Sequence, residues 1–294
     1  MQLTANEWAK HYSNIIWIDN SPWELRNRIL IPISLPHTIQ NINRNKVKEA
    51  ISKTNALLAH WTTDWDRTQS EWWWTCCDMK NYDLEIINNP TGRRGIRKGL
   101  AFCSVKRMEP ATFCELTYNI YYKSLLAYKI RKSEIISYEH YEEKILRQST
   151  YKGFEMWGAF VNEKLASYAI CLLIDDVVSL GSTKSDPEFH KYFPNNALFY
   201  HITKHYLNER GVSYITNGPR TLLHSTTIND FLIRMGYRQV YGRLNIELSH
   251  YAKLLIKSGI GRGIQQLDFL AKLYPDAIAK LNAFLKLEKI SKTF

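Results

Sequence analysis

What this sequence lacks narrows it first. Its five cysteines, Cys76, Cys77, Cys103, Cys114 and Cys171, are odd in number and show no C-x-x-C spacing. That excludes a secreted disulfide framework and argues against a structural zinc site. The longest apolar run, Leu165 to Leu180, is interrupted by Asp175-Asp176, too soon to cross a bilayer. Met1 to Asn20 is broken by Glu7, Lys10 and Asp19 and has no apolar core of the signal-peptide kind, so a cytoplasmic location is expected. There is no G-x-S-x-G elbow and no P-loop. Gly259-x-Gly261-x-Gly263 follows no strand and reads as a helix break rather than a dinucleotide site. His201 and His205 lie four apart, but no H-E-x-x-H pattern or third ligand accompanies them, and a helix face is expected there. Neither a metal nor a permanently bound cofactor is expected.

Acidic residues are also in short supply. Against 39 Lys and Arg stand 28 Asp and Glu, a formal charge of +11, which favours encounter with anions such as nucleic acid, CoA phosphates or an acidic membrane surface. The excess has a focus. From Thr91 to Arg107 there is no acid at all, while Arg93, Arg94, Arg97, Lys98, Lys106 and Arg107 fall in that stretch. Arg offers planar multidentate donors to phosphate, and Gly92, Gly95 and Gly99 permit close backbone approach. The segment is expected to be a basic loop leading into a strand and to bind a polyanionic donor. Aromatics, by contrast, are plentiful, with nine Trp and eighteen Tyr. Five Trp and a histidine crowd the stretch from His60 to Trp74, where core packing is the favoured use.

Periodicity gives an element order. The first ninety residues yield only a short extended segment, Ile29 to Leu35, and helical spacing over Lys46 to Leu58. Alternation predicts a strand over Phe102 to Met108. Pro110 opens a helix over Ala111 to Ser124, and a second covers Tyr138 to Gln148. Phe154 to Val161, Leu165 to Ile174 and Val177 to Ser182 are runs separated by Asn162-Glu163 and Asp175-Asp176, an antiparallel meander. A helix over Leu198 to Asn208 stops at Gly211, a strand covers Val212 to Thr216, and Ile228 to Met235 is an amphipathic helix stopped by Gly236. Tyr237 to Leu248 reads as one long strand, and 251–294 as terminal helices around Pro275. The helix between the fourth and fifth strands makes their connection a crossover, hence a parallel pair. The expected class is α/β (α+β), a mixed central sheet with flanking helices. Its segments are an aromatic-rich region at 1–100, the main domain at 101–250 and C-terminal helices at 251–294.

This order, over Phe102 to Leu248, resembles the GNAT superfamily of N-acyltransferases. Shorter strings resemble Fem-type peptidyltransferases: the basic Pro90 to Leu100 piece, Trp157-Gly-Ala-Phe160 with Leu165-Ala-Ser-Tyr168, and Tyr214-Ile-Thr-Asn-Gly218. Arg234-Met235-Gly236-Tyr237 resembles the helix-to-strand turn of the wider group. The resemblance implies acyl transfer to an amine, in the Fem-type case an aminoacyl group taken from aminoacyl-tRNA. It also implies that a splayed strand pair supplies backbone N–H groups to the oxyanion, so Gly181 and Ser182 are the catalytic candidates at the end of the fourth strand. The Gly-rich pyrophosphate turn of CoA-dependent members is missing from Gly181 to Ala197, which favours tRNA over acyl-CoA as donor. After the fifth strand, Asn217 to Thr227 occupies the place where ligands gather in open α/β sheets. There His224 is the candidate general base. Arg220, Asn217, Tyr200 and Trp157 are the candidate substrate-binding residues. The acceptor is expected to be an amine-bearing small molecule or peptide. A CoA-dependent N-acyltransferase and a catalytically silent module binding nucleic acid or protein are the alternatives.

Overall fold

The computed structural model describes residues 3–11, 14–39, 41–67, 69–127, 130, 132–222, 227–258 and 275–293. The chain divides into two compact units. One comprises 1–3, 75–218 and 227–238, the other 4–74, 219–226 and 239–294. The units therefore interleave along the chain, where the sequence reading drew consecutive segments.

In the first unit the helices are α3 (Pro90–Phe102), α4 (Pro110–Ala127), α5 (Tyr138–Ser149), α6 (Pro194–Lys204) and α7 (Ile228–Arg234). A seven-stranded sheet runs through it, built from β5 (Trp73–Cys77), β6 (Ser104–Arg107), β7 (Phe154–Val161), β8 (Lys164–Ile174), β9 (Val177–Ser185), β10 (Tyr214–Pro219) and β11 (Arg238–Tyr241). Their spatial order is β11-β5-β10-β9-β8-β7-β6. β6 to β9 pair antiparallel in sequence, and β10 joins β9 in parallel through Tyr214↔Val177 to Thr216↔Ser179. Both faces of the meander are covered. Ala169, Cys171, Leu173, Val178 and Leu180 pack with Ala197, Leu198 and Ile202 of α6. Met156, Tyr168 and Ile170 pack with Phe113 and Ile120 of α4 and Tyr141 and Ile145 of α5. Burial on two sides explains why β7 and β8 read as nearly unbroken apolar runs rather than alternating ones.

The basic segment is a helix, not a loop. Asn89 caps it, accepting from the Gly92 amide at 2.9 Å, and Pro90 occupies the first turn where its missing N–H costs nothing. The glycines serve helix packing rather than ligand approach. Gly92, Gly95, Ile96 and Gly99 form its buried face. A methyl group at Gly92 would overlap the Arg234 carbonyl oxygen, one at Gly95 would sit 2.6 Å from Asn196 Nδ2, and one at Gly99 2.7 Å from the Phe193 carbonyl oxygen. The three poor helix formers are thus what lets α3 lie against α6 and the end of α7.

In the second unit α1 (Ala5–Ala9), β1 (Ile15–Ile18), β2 (Ser21–Arg26), β3 (Ile29–Pro32), α2 (Arg44–Thr54), β4 (Leu58–Thr63), β12 (Arg243–Leu248), α8 (His250–Lys257) and α9 (Pro275–Ser291) are described. The sheet order is β1-β2-β3-β4-β12. Ile18, Trp23, Leu30 and Trp61 from the sheet enclose Val47, Ala50 and Ile51 of α2, a spacing of three and four that puts all of these on one helix face. The expected long strand from Tyr237 to Leu248 is broken at Gly242. Its amide donates to the Trp72 carbonyl at 3.0 Å, its carbonyl accepts from Ser70 Oγ at 2.7 Å, and a Cβ would stand 2.5 Å from Thr62 Cγ2. The chain consequently leaves the seven-stranded sheet as β11 and joins the five-stranded one as β12.

Two outcomes follow from this packing. Gly92→Ala would raise stability on an exposed helix by about 1 kcal/mol, but here overpacking against backbone should lower it by about 2 kcal/mol, read as a fall in the urea midpoint. His60, edge-on to Trp72 with ring centroids 6.1 Å apart, is held down to a pKa of about 4 by burial. Unfolded, the same group binds a proton near pH 6.5. Between those values the unfolded chain takes up a proton that the folded one refuses, so stability should fall as pH drops from 6.5 towards 4. His60→Gln should flatten that slope in chemical denaturation series.

Candidate active site at the parting of two parallel strands

The ladder between β9 and β10 ends at Ser179↔Thr216, yet β9 continues to Ser185 and β10 to Pro219. Two local causes separate them. On β9, the register with β8 steps from Cys171↔Leu180 to Ala169↔Thr183, so Gly181 and Ser182 together oppose Ile170 in a β-bulge. The bulge bends the strand and leaves its extra residue out of the ladder. On β10, Thr216 Oγ1 donates to the Thr75 carbonyl of β5 at 3.1 Å, and the Gly218 amide turns back onto Thr216 Oγ1 at 2.9 Å. Gly218 has φ +85°, a left-handed backbone that glycine adopts without strain. β10 is thus drawn towards β5, where Thr75 Oγ1 is fixed by Asn229 of α7 at 2.9 Å.

Gly181 and Ser182, the catalytic candidates, both lie exposed at this bulge, and Asn217 lies half-buried on the opposite strand. Tyr168 sits behind them, fully buried, edge-on to Phe113 at 5.2 Å. Its hydroxyl faces Ser182 and Tyr141 but makes no well-formed hydrogen bond, and burial raises its pKa far above the usual phenol value. It stays neutral at neutral pH. Lys184, paired across from Tyr168, has its ammonium pKa lowered by burial. Neither residue was singled out by sequence reasoning for chemistry. Alternation along the run after Gly181 was the available signal, and the bulge scrambles it.

The remaining candidates disperse. Trp157 is a core residue, 3% exposed, its Nε1 donating to Tyr206 Oη at 3.2 Å, with His201 and His205 against its ring. Tyr200 packs on Tyr82 and donates to Asp83 Oδ1 at 3.2 Å. Arg220 belongs to the second unit. Its guanidinium stacks over Trp73 at 5.7 Å and its Nη1 donates to the Glu71 carbonyl at 2.5 Å. His224 lies outside the described residues. Of the basic set, Arg94, Arg97 and Lys98 are exposed on the face of α3 opposite its glycines, with Arg97 3.3 Å from Glu85. Arg93 Nη1 donates to the Ile87 carbonyl at 2.9 Å. Lys106 lies over Phe160 at 4.6 Å, and Arg107 is 3.4 Å from Glu155 on the neighbouring strand.

The connection from β9 to α6 holds a 3-10 helix, Pro187–Tyr192, then Phe193 at φ +58° and Pro194 in the first turn. Pro194 has no N–H, and the Asn196 and Ala197 amides both donate to the Phe193 carbonyl, at 3.1 and 3.3 Å. The start of α6 therefore turns most of its donors inward instead of presenting an amide cradle.

No protein-family model matches the sequence, and no curated protein does. Solved structures do. A domain assigned as the C-terminal part of a lysylphosphatidylglycerol synthetase from Agrobacterium fabrum aligns over 87% of this chain and 91% of its own, at 10% identity and a TM-score of 0.55. FemX aligns over 81% and 89%, at 11% identity and 0.47. The ribosomal-protein-S18-alanine N-acetyltransferase of Escherichia coli aligns over 37% and 62%, at 19% identity and 0.29. The fold is a GNAT-like mixed α and β architecture, shared across nearly the whole chain with the first of these.

Because the Arg220 guanidinium is engaged with backbone, Arg220→Ala should cost about 1–2 kcal/mol of stability. Guanidinium unfolding of the two proteins side by side measures it, and a loss confined to activity would instead place Arg220 on substrate.

Proposed function

We propose that this chain is an acyltransferase that passes an aminoacyl group from aminoacyl-tRNA to an amine on a small molecule or peptide. The observation that carries the proposal is the parting of β9 and β10 with a bulge at Gly181–Ser182. Attack of an amine on an ester carbonyl builds negative charge on the carbonyl oxygen, and preorganised amides facing that oxygen lower the barrier. Exposed amides on a bulged strand, freed from a parallel ladder, are suited to that role. The collapsing intermediate expels the ribose oxygen, which must regain a proton, and the amine must lose one. Tyr168, a buried neutral phenol behind Ser182, would act on that strand by bracing it rather than by giving up its proton.

The donor is inferred from charge and shape. Arg94, Arg97 and Lys98 form an outward basic face on α3, suited to a phosphate backbone, and the start of α6 offers little to a pyrophosphate. The similarity to a domain whose description names lysylphosphatidylglycerol synthesis points the same way.

Single-turnover transfer from charged tRNA to an amine acceptor tests this. Ser182→Ala should keep most of the rate, since only its amide is used. Ser182→Pro, which deletes that amide at a position where proline is tolerated, should lose about 10²–10³-fold, with circular dichroism unchanged. Equal rates for the two variants would remove the oxyanion assignment. Acetyl-CoA should bind more weakly than about micromolar by calorimetry, and tight binding with acetyl transfer would replace tRNA as donor.

A further inference from the structure

A cavity of about 500 Å³ opens in the second unit, and none of its lining residues belongs to the site above. Its size suits a small ligand. Arg44, Trp61, Asp64, Trp65, Arg67 and Asn245 contribute to its wall. Arg44 is held in a fixed pose: the guanidinium lies over the Trp61 ring at 5.5 Å, Nη2 donates to Asn245 Oδ1 at 3.1 Å, and Nη1 stands 3.9 Å from Glu247 Oε2. Asn245 is anchored in turn, its Nδ2 donating to Thr63 Oγ1 at 2.8 Å. Asn245 and Glu247 are both buried, while the Arg44 side chain is 51% exposed. One edge of the fork is thus braced by protein and the rest is open to the cavity, the arrangement that binds an oxyanion with least loss of side-chain entropy.

A second observation points to an anion independently. Arg44 opens α2, and helix N-termini favour acidic residues because their free amides carry partial positive charge. α2 has no acid in its first turn. It begins instead with Arg44, Lys46 and Lys48, of which Lys46 is balanced by Asp19 at 2.6 Å. Asp19 also accepts from the Asn43 amide at 2.7 Å and Asn43 Oδ1 from the Asn45 amide at 2.9 Å, so the charge this end of α2 offers the cavity is the Arg44 guanidinium.

The cavity's single acid then acquires meaning. Asp64 accepts from Thr63 Oγ1 at 3.3 Å, and among the described residues no cation lies within ion-pair distance of it. A carboxylate and an open guanidinium that share a cavity without pairing are both neutralised by one ligand carrying both charges. We propose that this cavity binds a zwitterionic ligand of the amino-acid class, a free amino acid or the end of a short peptide. Its carboxylate rests on Arg44, its ammonium on Asp64, and its side chain against Trp65. The proposal rests on the acyl-transfer reading only in giving such a ligand a use, as the amine acceptor; binding itself stands apart.

The test is calorimetry on the full chain without any donor, using the standard amino acids, Ala-Ala, its N-acetyl and amide derivatives, and inorganic phosphate. At least one free zwitterion should bind, with either blocked form weaker by about tenfold or more. Arg44→Gln should abolish binding. Asp64→Asn should weaken the free forms and leave the N-acetyl forms as they were. Asp64 is partly exposed, and asparagine there keeps an oxygen that can accept from Thr63 Oγ1, so it carries the test if Arg44→Gln unfolds. Blocked and free forms binding alike, phosphate binding alone, an indifferent Asp64→Asn, or no zwitterion binding would each overturn the proposal. Donor is absent throughout, so this result and the Ser182 rates can fail separately.

Discussion

A parallel pair of strands cannot be closed by a tight turn, so the partnership of β9 with β10 requires a crossover, and α6 is that crossover. Much of the first unit follows from where α6 must lie. To cover the face of the sheet that carries Cys171, Val178 and Leu180, it has to pack flat, and α3 has to lie against it in turn. The space for α3 is made by removing side chains: Gly95 and Gly99 meet Asn196, Phe193 and Ala197 at distances that a methyl group would close to contact or overlap. The same constraint sets the site. Once α6 and β10 are fixed, β9 can depart from β10 only by bending, and the bulge at Gly181–Ser182 is the bend.

The polar interior supports that frame at the other end. Glu155 on β7 is 4% exposed, and a buried carboxylate is costly unless its lone pairs are filled. Tyr206 donates to Oε2 at 2.5 Å, while Arg210 and Arg107 approach Oε1 at 3.2 and 3.4 Å. Trp157 donates to the same Tyr206 oxygen. One carboxylate therefore ties together β6, β7 and the segment after α6. Trp157 and Arg107 are accounted for by this network without any ligand.

How much could be read from sequence depended on whether a residue's use is local. The meander from Phe154 to Ser185 was legible because turn residues such as Asn162-Glu163 punctuate it, and the parallel pair was legible because a helix intervenes. Gly181 and Ser182 became oxyanion candidates through the family resemblance that the element order carries. The helix at Pro90–Phe102 was not legible, because three glycines lower helix propensity, and the compensating contacts come from residues about a hundred positions or more away. Nor was the break at Gly242, whose cause is the Trp72 and Ser70 pairing. Of the short strands, β3 lies in the extended segment expected from Ile29, while β1 and β2, four and six residues long, lie below what alternation resolves. Arg44 and Asp64 carry no motif, since they meet only through the folding of α2 beside β4.

Net charge needs the same care. A surplus of +11 counts residues, whereas recognition counts donors that remain open after folding. Arg107 and Arg210 are spent on Glu155, and Arg238 on Asp78 at 2.6 Å. Arg93 and Arg220 are spent on backbone carbonyls. Among the cations that stay exposed, two placements stand out: Arg94, Arg97 and Lys98 on one side of α3, with Arg97 beside Glu85, and Arg44 at the head of α2. The first group is exposed and spaced along a helix, a geometry that follows an extended polyanion and weakens with salt. Arg44 is different in kind. It is braced by buried partners, so its geometry is fixed, which suits a small ligand with one defined oxyanion. The same excess of positive charge thus takes two different geometries, a row of exposed cations along one helix and a single braced guanidinium.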